Sequence, residues 1–450
     1  MHTQGAPLSL GTERISILLR QYAIPAIIAQ TATSLYNMVD SIFIGHGVGP
    51  LALSGLAVTF PLMNLSTAFG TLVGVGAATM ISMRLGQRDY KNAQNILGNS
   101  VILNIIIGLV FALIAYIFLD PILFFFGASE DTLPYARDYM EILLLGNVIT
   151  HLYFGLNNVL RASGHPKKAM TATIMTVVIN TILDPIFIFG FGWGIKGAAI
   201  ATVLGQLLAL LWQLRFFAKK ENLLHFEKGI YKLKKHIVVP ALSIGVSPFL
   251  MNVASSLIVI LINQALGRHG GDLAIGAFGI INRIEYLFLM IVVGFNQGMQ
   301  PIAGYNYGAE QYTRVTEVLN LTIRWATIVT CIGFVIGMLL PDLAVSMFTL
   351  DSDLKEIAVQ GLRITIMMFP IVGFQMVSSN FFQSIGMVKK AIFLSLTRQV
   401  LFLIPALLIC SRLWGVIGVW VSIPISDFLA SITSGIMIWR QFKEFRSSNN

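Results

Sequence analysis

Apolar runs near 20 residues long recur along the whole chain, and they limit what it can fold into more than any other feature. Val101 to Leu119 is one such run, broken only by Asn104. A run of that length spans the hydrocarbon of a bilayer as a helix. In hydrocarbon the backbone must satisfy its own hydrogen bonds, so helices are the expected element. Twelve spans can be placed, at about 15–44, 52–79, 95–119, 134–159, 167–190, 194–217, 238–266, 272–301, 316–340, 357–384, 389–411 and 414–439. Composition agrees: 56% of residues are apolar and 11% charged, against about 25% charged in soluble domains.

The first 13 residues are polar and lack the apolar core of a signal peptide. Cys331 and Cys410 both lie in apolar segments, and no Cys/His spacing suggests zinc, so neither a disulfide nor a metal site is expected. Lys and Arg mark the cytoplasmic side. Loops after even-numbered spans, with the two termini, carry 22 of the 30, and the opposite face carries six. Both termini are therefore expected in the cytoplasm. The net charge of +9 is accounted for by this bias and does not call for nucleic acid.

A stretch from Lys219 to Lys235 (KKENLLHFEKGIYKLKK) is the one evident linker. Its spacing predicts a basic amphipathic helix on the inner membrane surface. On either side of it the chain repeats at an offset of 222. Leu51-Ala-Leu-Ser-Gly-Leu matches Leu273-Ala-Ile-Gly-Ala-Phe. Gly86 and Tyr90 match Gly308 and Tyr312, and Gly164 with Lys167-Lys168 matches Gly386 with Lys389-Lys390. A one-residue slip then aligns Trp193 with Trp414. Six spans per repeat is an even number, so the repeats run parallel, related by an axis along the membrane normal. The fold expected is all-α: two six-helix lobes, 1–218 and 238–450, joined by a linker at 219–237. Such lobes usually enclose a transport path.

Polar groups inside the spans are the candidates for function. Asp40 lies in span one, with Tyr36 one turn away on the same face and placed to donate to its carboxylate. Span five carries Asn180 and Asp184, four apart and so on one face, followed by Pro185, which should kink the helix. Counting helical rise from the outer ends puts Asp40, Asp184 and Thr202 roughly 8 to 12 Å deep, in one layer. Two close carboxyls in low dielectric cannot both stay ionised. They need a proton or a shared small cation, H⁺ or Na⁺. At the same offset the second half carries Ile262, Phe402 and Ala406 instead. It has its own charges, Arg283, Glu285, Arg398 and Asp427, as a candidate substrate contact or structural pair, for example Glu285 with Arg398. His151 reads as a hydrogen-bonded interior residue. No nucleotide-binding or hydrolase motif is present, so no enzyme and no ATP-driven pump is expected.

These residues resemble a known family, the multidrug and toxic compound extrusion (MATE) transporters. The likeness rests on Pro25, Asn37-Met-Val-Asp40-Ser-Ile-Phe-Ile-Gly45, the Gly-rich stretch from Gly55 to Gly86, Leu160-Arg-Ala-Ser-Gly164 and Asn180-x-x-x-Asp184-Pro185. The acidic pair is similar to the prokaryotic DinF-like branch, and the wording of span one to MepA-type pumps. The resemblance implies efflux of amphipathic, often cationic, drug-like compounds by Na⁺ or H⁺ antiport. It implies a first-lobe cation site formed by Asp40, Asn180, Asp184 and Thr202, with no other cofactor; protonation or Na⁺ binding at Asp40 and Asp184 is then expected to bend span one at Pro25. The NorM-like acidic residues on helices seven and ten have no counterpart here. Expected partners are the lipid bilayer and the transported molecules. A monomer in a bacterial or archaeal inner membrane is expected. The alternatives are a flippase for lipid-linked precursors, disfavoured because only Arg283 and Arg398 could meet a pyrophosphate, and a membrane scaffold without transport.

Overall fold

The computed structural model describes residues 7–448, and among them every regular element is helical. The first repeat holds α1 (Pro7–Thr12), α2 (Ile15–Gly47), α3 (Pro50–Gly86), α4 (Tyr90–Ile117), α5 (Leu119–Phe125), α6 (Leu133–Leu145), α7 (Asn147–Ala162), α8 (Pro166–Pro185) and α9 (Gly194–Phe217). After the linker come α10 (Lys235–Gly308), α11 (Tyr312–Leu339), α12 (Pro341–Ser346), α13 (Ser352–Thr365), α14 (Phe369–Ser384), α15 (Val388–Leu396) and α16 (Ile404–Ser448). Among the described residues eight helices are long and apolar enough to cross a membrane, or nine when the bent pair α6–α7 counts as one. Two of the eight are double. The α10 run turns at Gly271 (φ 63°), and α16 at Gly415 (φ 58°). With α2, which is polar enough to miss that threshold, the twelve expected spans are all present.

The fourth span is not one straight helix: α6 and α7 meet at 57° across Gly146. A side chain at Gly146 would run into Val203 of α9, so the bend packs where only glycine fits. Helix starts follow local chemistry. Asp89 caps α4, accepting from the Asn92 backbone N–H at 3.2 Å and from its Nδ2 at 2.7 Å. Asp351 caps α13 in the same way, accepting from the Leu354 N–H at 2.8 Å.

The backbone itself carries the repeat. Arg88 and Glu310 are the only non-glycine residues of positive φ among those described; both sit at 58°, and 222 positions separate them. Gly49 and Gly271, and Gly164 and Gly386, are left-handed pairs at the same offset. Gly194 and Gly415, at 56° and 58°, are one residue closer, as the slip before Trp193 requires. Few L-residues adopt such φ values, so these matches mark the same loop built twice.

The chain forms two compact units. Of the described residues, the first holds Ile28–Phe249 with 7–13; the second holds Arg14–Ile27 with 250–448. Each unit thus contains the leading part of the other repeat's first long helix. In the first unit Gly76 of α3 lies against the backbone of Ala241, and Gly245 against that of Leu72. In the second unit Gly298 lies against Ala23, and Gly294 against Ile27. A Cβ at any of these four glycines would overlap backbone, so the close approach selects glycine. Pro25 stands two residues before the point where α2 passes from one unit to the other. Each unit has its own apolar core, around Leu62, Leu123, Tyr139 and Ile188 in the first and around Phe278, Phe369 and Trp420 in the second.

The linker is not a helix. Residues 219–234 form turns and irregular chain, with Gly229 left-handed at φ 99°. Two amides of α4 take up its backbone groups. Asn99 Nδ2 donates to the carbonyls of Ile230 and Lys232, each at 3.0 Å, and its Oδ1 accepts from the Lys234 N–H at 2.9 Å. Gln94 Nε2 donates to the His225 carbonyl, and its Oε1 accepts from the His225 N–H at 3.2 Å. Leu224 and Ile230 are buried. A short isolated helix is marginal in water, and here buried amides and two apolar anchors outcompete it.

Candidate functional site

Three helices of the first unit bring the polar residues of its spans together. From α2 come Tyr36 and Asp40, from α8 Asn180 and Asp184, from α9 Thr202. All but Tyr36 are buried; Asn180 and Asp184 have no exposed surface. Thr202 is the hub. Its hydroxyl donates to the Ala198 carbonyl one turn back at 3.1 Å. Its oxygen then accepts from Asn180 Nδ2 at 3.1 Å and from the Tyr36 hydroxyl at 3.3 Å. Tyr36 is thus the donor, and it donates to Thr202 rather than to Asp40 as its helical spacing suggested.

The Asp40 and Asp184 carboxyls lie near enough to act directly on each other. Asp40 Oδ1, both oxygens of Asp184 and Asn180 Oδ1 are buried with no hydrogen-bond partner. Among the described residues neither carboxyl makes an ion pair with Lys, Arg or His. Four buried acceptors without a donor are costly. A proton on the pair, or a small oxygen-seeking cation such as Na⁺ between them, supplies what is missing. Pro185 ends α8, and the chain widens at once into a π-helical turn over Ile186–Gly190, so the helix that carries Asp184 is irregular just beyond it.

Tyr139 of α6 was not legible as a site residue. It is 2% exposed and lies near both carboxyls. In sequence it stands among charges, Arg137-Asp-Tyr-Met-Glu141, near the start of the fourth span. Asn157 donates through Nδ2 to Thr173 at 2.9 Å, apart from the Thr202 hub. His151 is 1% exposed and pairs through Nε2 with Ser66 at 3.2 Å, an interior hydrogen bond as expected.

The second unit has no counterpart of this cluster; Ile262, in the place of Asp40, is core. Its charges pair differently from the sequence suggestion. Arg398 Nε bonds Asp427 Oδ1 at 2.5 Å, not Glu285. Asp427 is 2% exposed. Arg283 is exposed. An open cavity of about 690 Å³ in the second unit is lined by Asp342, Lys355, Glu356 and Arg363 among others. None of its lining residues belongs to either charged cluster. Among the described residues no group of three or more His, Cys, Asp and Glu could hold a metal ion.

A two-fold repeated bundle of membrane-spanning helices, with a buried pair of carboxyls in the first repeat, defines the class as a polytopic transport protein. The MatE family model matches the chain twice, over residues 25–186 and 248–408, which is the repeat again. The chain belongs to the MatE family. It is 27% identical over 421 residues to multidrug export protein MepA of Staphylococcus aureus (strain MSSA476), covering 94% of this chain and 93% of that one. Among solved structures, that of the MATE multidrug transporter DinF-BH is 37% identical, covers 96% of each chain and superposes with a TM-score of 0.89. An outward-facing multidrug resistance MATE transporter of the MOP superfamily is 24% identical, covers 99% of this chain and 100% of that one, and reaches a TM-score of 0.92. At that identity it speaks to the twelve-helix, two-lobe fold alone.

Proposed function

We propose that this chain is a secondary active multidrug exporter, expelling amphipathic, often cationic, compounds in exchange for H⁺ or Na⁺. The observation that carries the coupling is the buried Asp40–Asp184 pair, which together with Asn180 holds four unpartnered acceptor oxygens. The names of its relatives, a multidrug export protein and a multidrug transporter, support the export of drugs. A proton or Na⁺ entering the pair relieves carboxylate repulsion and changes how α2 and α8 pack around Thr202. With Pro25 in α2 and the π-helical turn after Pro185, both helices have a weak point at which to answer. The protein acts as a carrier, not an enzyme, in the cytoplasmic membrane of a prokaryote, with both termini inside and a monomer as the working unit.

Ethidium efflux tests this in everted vesicles or proteoliposomes, with a pH gradient and a Na⁺ gradient imposed separately. Asp40→Asn and Asp184→Asn should each abolish gradient-driven efflux, and the effective gradient identifies the ion. Full efflux in both variants would sink the coupling scheme. No movement of any dye under either gradient would sink the export reading.

A further inference from the structure

The first unit holds another buried polar set, on α3, α4 and α7, that the carboxyl site does not use. Asn147, the first residue of α7 after the bend, donates through Nδ2 to the Gly108 carbonyl of α4 at 2.8 Å. That leaves its Oδ1 facing Ser66 of α3, whose hydroxyl donates to it at 2.6 Å. The Ser66 proton is thereby committed. His151, one turn along α7, meets the Ser66 oxygen through Nε2 at 3.2 Å, so Nε2 carries the hydrogen of that bond. Among the described residues His151 makes no ion pair, and a charge buried without a partner is strongly unfavourable. The ring is therefore neutral, and its Nδ1 is a bare acceptor. Nδ1 is buried and has no partner. Asn104 of α4 ends the same way. Its Nδ2 donates to the Ser100 carbonyl at 2.8 Å, and its Oδ1 is buried without a partner. Each of the two residues is 1% exposed.

The two acceptors lie on one seam. Along it α4 carries Asn104 and Gly108, and α7 carries His151 and Gly155, each pair one turn apart. A Cβ built on Gly108 would stand 3.3 Å from His151 Nδ1, and one built on Gly155 would stand 3.3 Å from Asn104 Oδ1. Each polar side chain thus lies over the glycine of the other helix. Four residues of helical rise are about 6 Å. Two hydrogen bonds of about 2.8 Å through one water reach nearly as far. Water has two hydrogens, one for each acceptor. A metal cation would find two neutral ligands and nothing to balance its charge.

The second repeat replaces the whole set. At the offset of 222, Ser66, Asn104, Asn147 and His151 become Phe288, Ala326, Phe369 and Gly373. Phe288 and Phe369 meet edge to face at 6.3 Å, and Gly373 lies against the Ala326 carbonyl. The same helix crossing closes there with no polar side chain at any of the four positions.

We propose that the α4–α7 seam of the first repeat is a binding site for one buried water molecule, which donates one hydrogen to His151 Nδ1 and the other to Asn104 Oδ1. The water completes a loop of hydrogen bonds. The loop leaves α4 at the Gly108 carbonyl, passes through Asn147, Ser66 and His151, and returns to α4 at Asn104. It ties α7 to α3 and α4 immediately after the bend from α6. No part of this rests on the export reading.

The test is nitrogen NMR on the purified full chain in lipid bilayers, with isotope-labelled histidine. Of the seven histidines, His151 is the one whose signals His151→Gln removes. A variant that keeps His151 as its sole histidine assigns the same signals if that substitution unfolds the chain. The wild type should show a protonated Nε2 and a bare Nδ1 at the shift of a lone pair that accepts a hydrogen bond, with magnetisation passing to it from water. Gly108→Ala puts a methyl group beside Nδ1. It should move the Nδ1 signal to the free lone-pair position and abolish the transfer from water, while an unmoved Nε2 signal shows that the fold and the Ser66 bond persist. A protonated Nδ1 in the wild type would overturn the proposal, as would a bare Nδ1 at the free position with no transfer from water. An Nδ1 signal that moves with added Na⁺ at constant pH would overturn it too, because the ligand would then be a cation. Transfer from water that survives Gly108→Ala unchanged would place the water outside this seam and count equally against it.

Discussion

Thr202 shows how much rests on one hydroxyl. It gives its proton to Ala198 and accepts from Asn180 and Tyr36, joining three helices at one oxygen. Thr202→Val keeps the shape and removes the acceptor. Two donors are then stranded, one of them fully buried, at about 1–3 kcal/mol. Thermal unfolding in detergent should fall accordingly, and gradient-driven efflux with it; Thr202→Ser should restore most of both. A valine variant as stable and as active as wild type would show that the hub does not organise the site. Asp40, Asn180, Asp184 and Thr202 were legible because a carboxyl or amide in an apolar run stands out, and helical rise puts all of them at similar depth. Tyr139 was not, since an aromatic beside charged residues looks like an interfacial anchor. The Arg398–Asp427 pair was not either, because four second-lobe charges allow several pairings and only packing chooses.

At the level of elements, apolar runs located every span, with ends up to nine residues short, as at the C-terminal end of α16, and α9 begins and ends where the sequence put it. What escaped were the places where packing overrides local pattern. The bend between α6 and α7 depends on Val203, some 57 positions further on, leaving no room for a side chain at Gly146. The linker has the spacing of an amphipathic helix, yet α4 claims its backbone through Gln94 and Asn99. Asn99 has no exposed surface and makes three bonds to the linker. Asn99→Ala should therefore free residues 228–235 more than any change of a linker lysine. Losing these bonds at about 1 kcal/mol each raises the open population some tens of times or more. Trypsin added to inside-out vesicles should then cut at Lys228, Lys232 or Lys234 far faster than in wild type, while α4 itself stays intact. Equal rates would mean the linker is held by Leu224 and Ile230 alone.

For the whole molecule, the repeat was legible because glycines that enforce a backbone shape recur with their spacing intact. The paired φ values at Arg88 and Glu310 are its structural record. The exchange of leading helix segments between units was not legible, since apolar helix starts look alike whichever unit they join. Parallel repeats make a strict demand on topology: matched loops of the two halves must face the same compartment. The 22-to-six bias of Lys and Arg says which one. With Cys331 and Cys410 replaced by serine, single cysteines at Glu130 and Leu350 probe the outer loops of the two repeats. Leu350 is 96% exposed and Glu130 is exposed as well. Glu221 and Ser447, also exposed, probe the linker and the C-terminal end. A membrane-impermeant maleimide on intact cells should label 130 and 350 and reach 221 and 447 only after permeabilisation. The reverse pattern would turn the molecule over and place the first-unit carboxyls nearer the inside. Labelling of 130 without 350 would be worse for this account: an odd number of crossings between them would make the repeats inverted, and the matching loops would no longer be the same loop built twice.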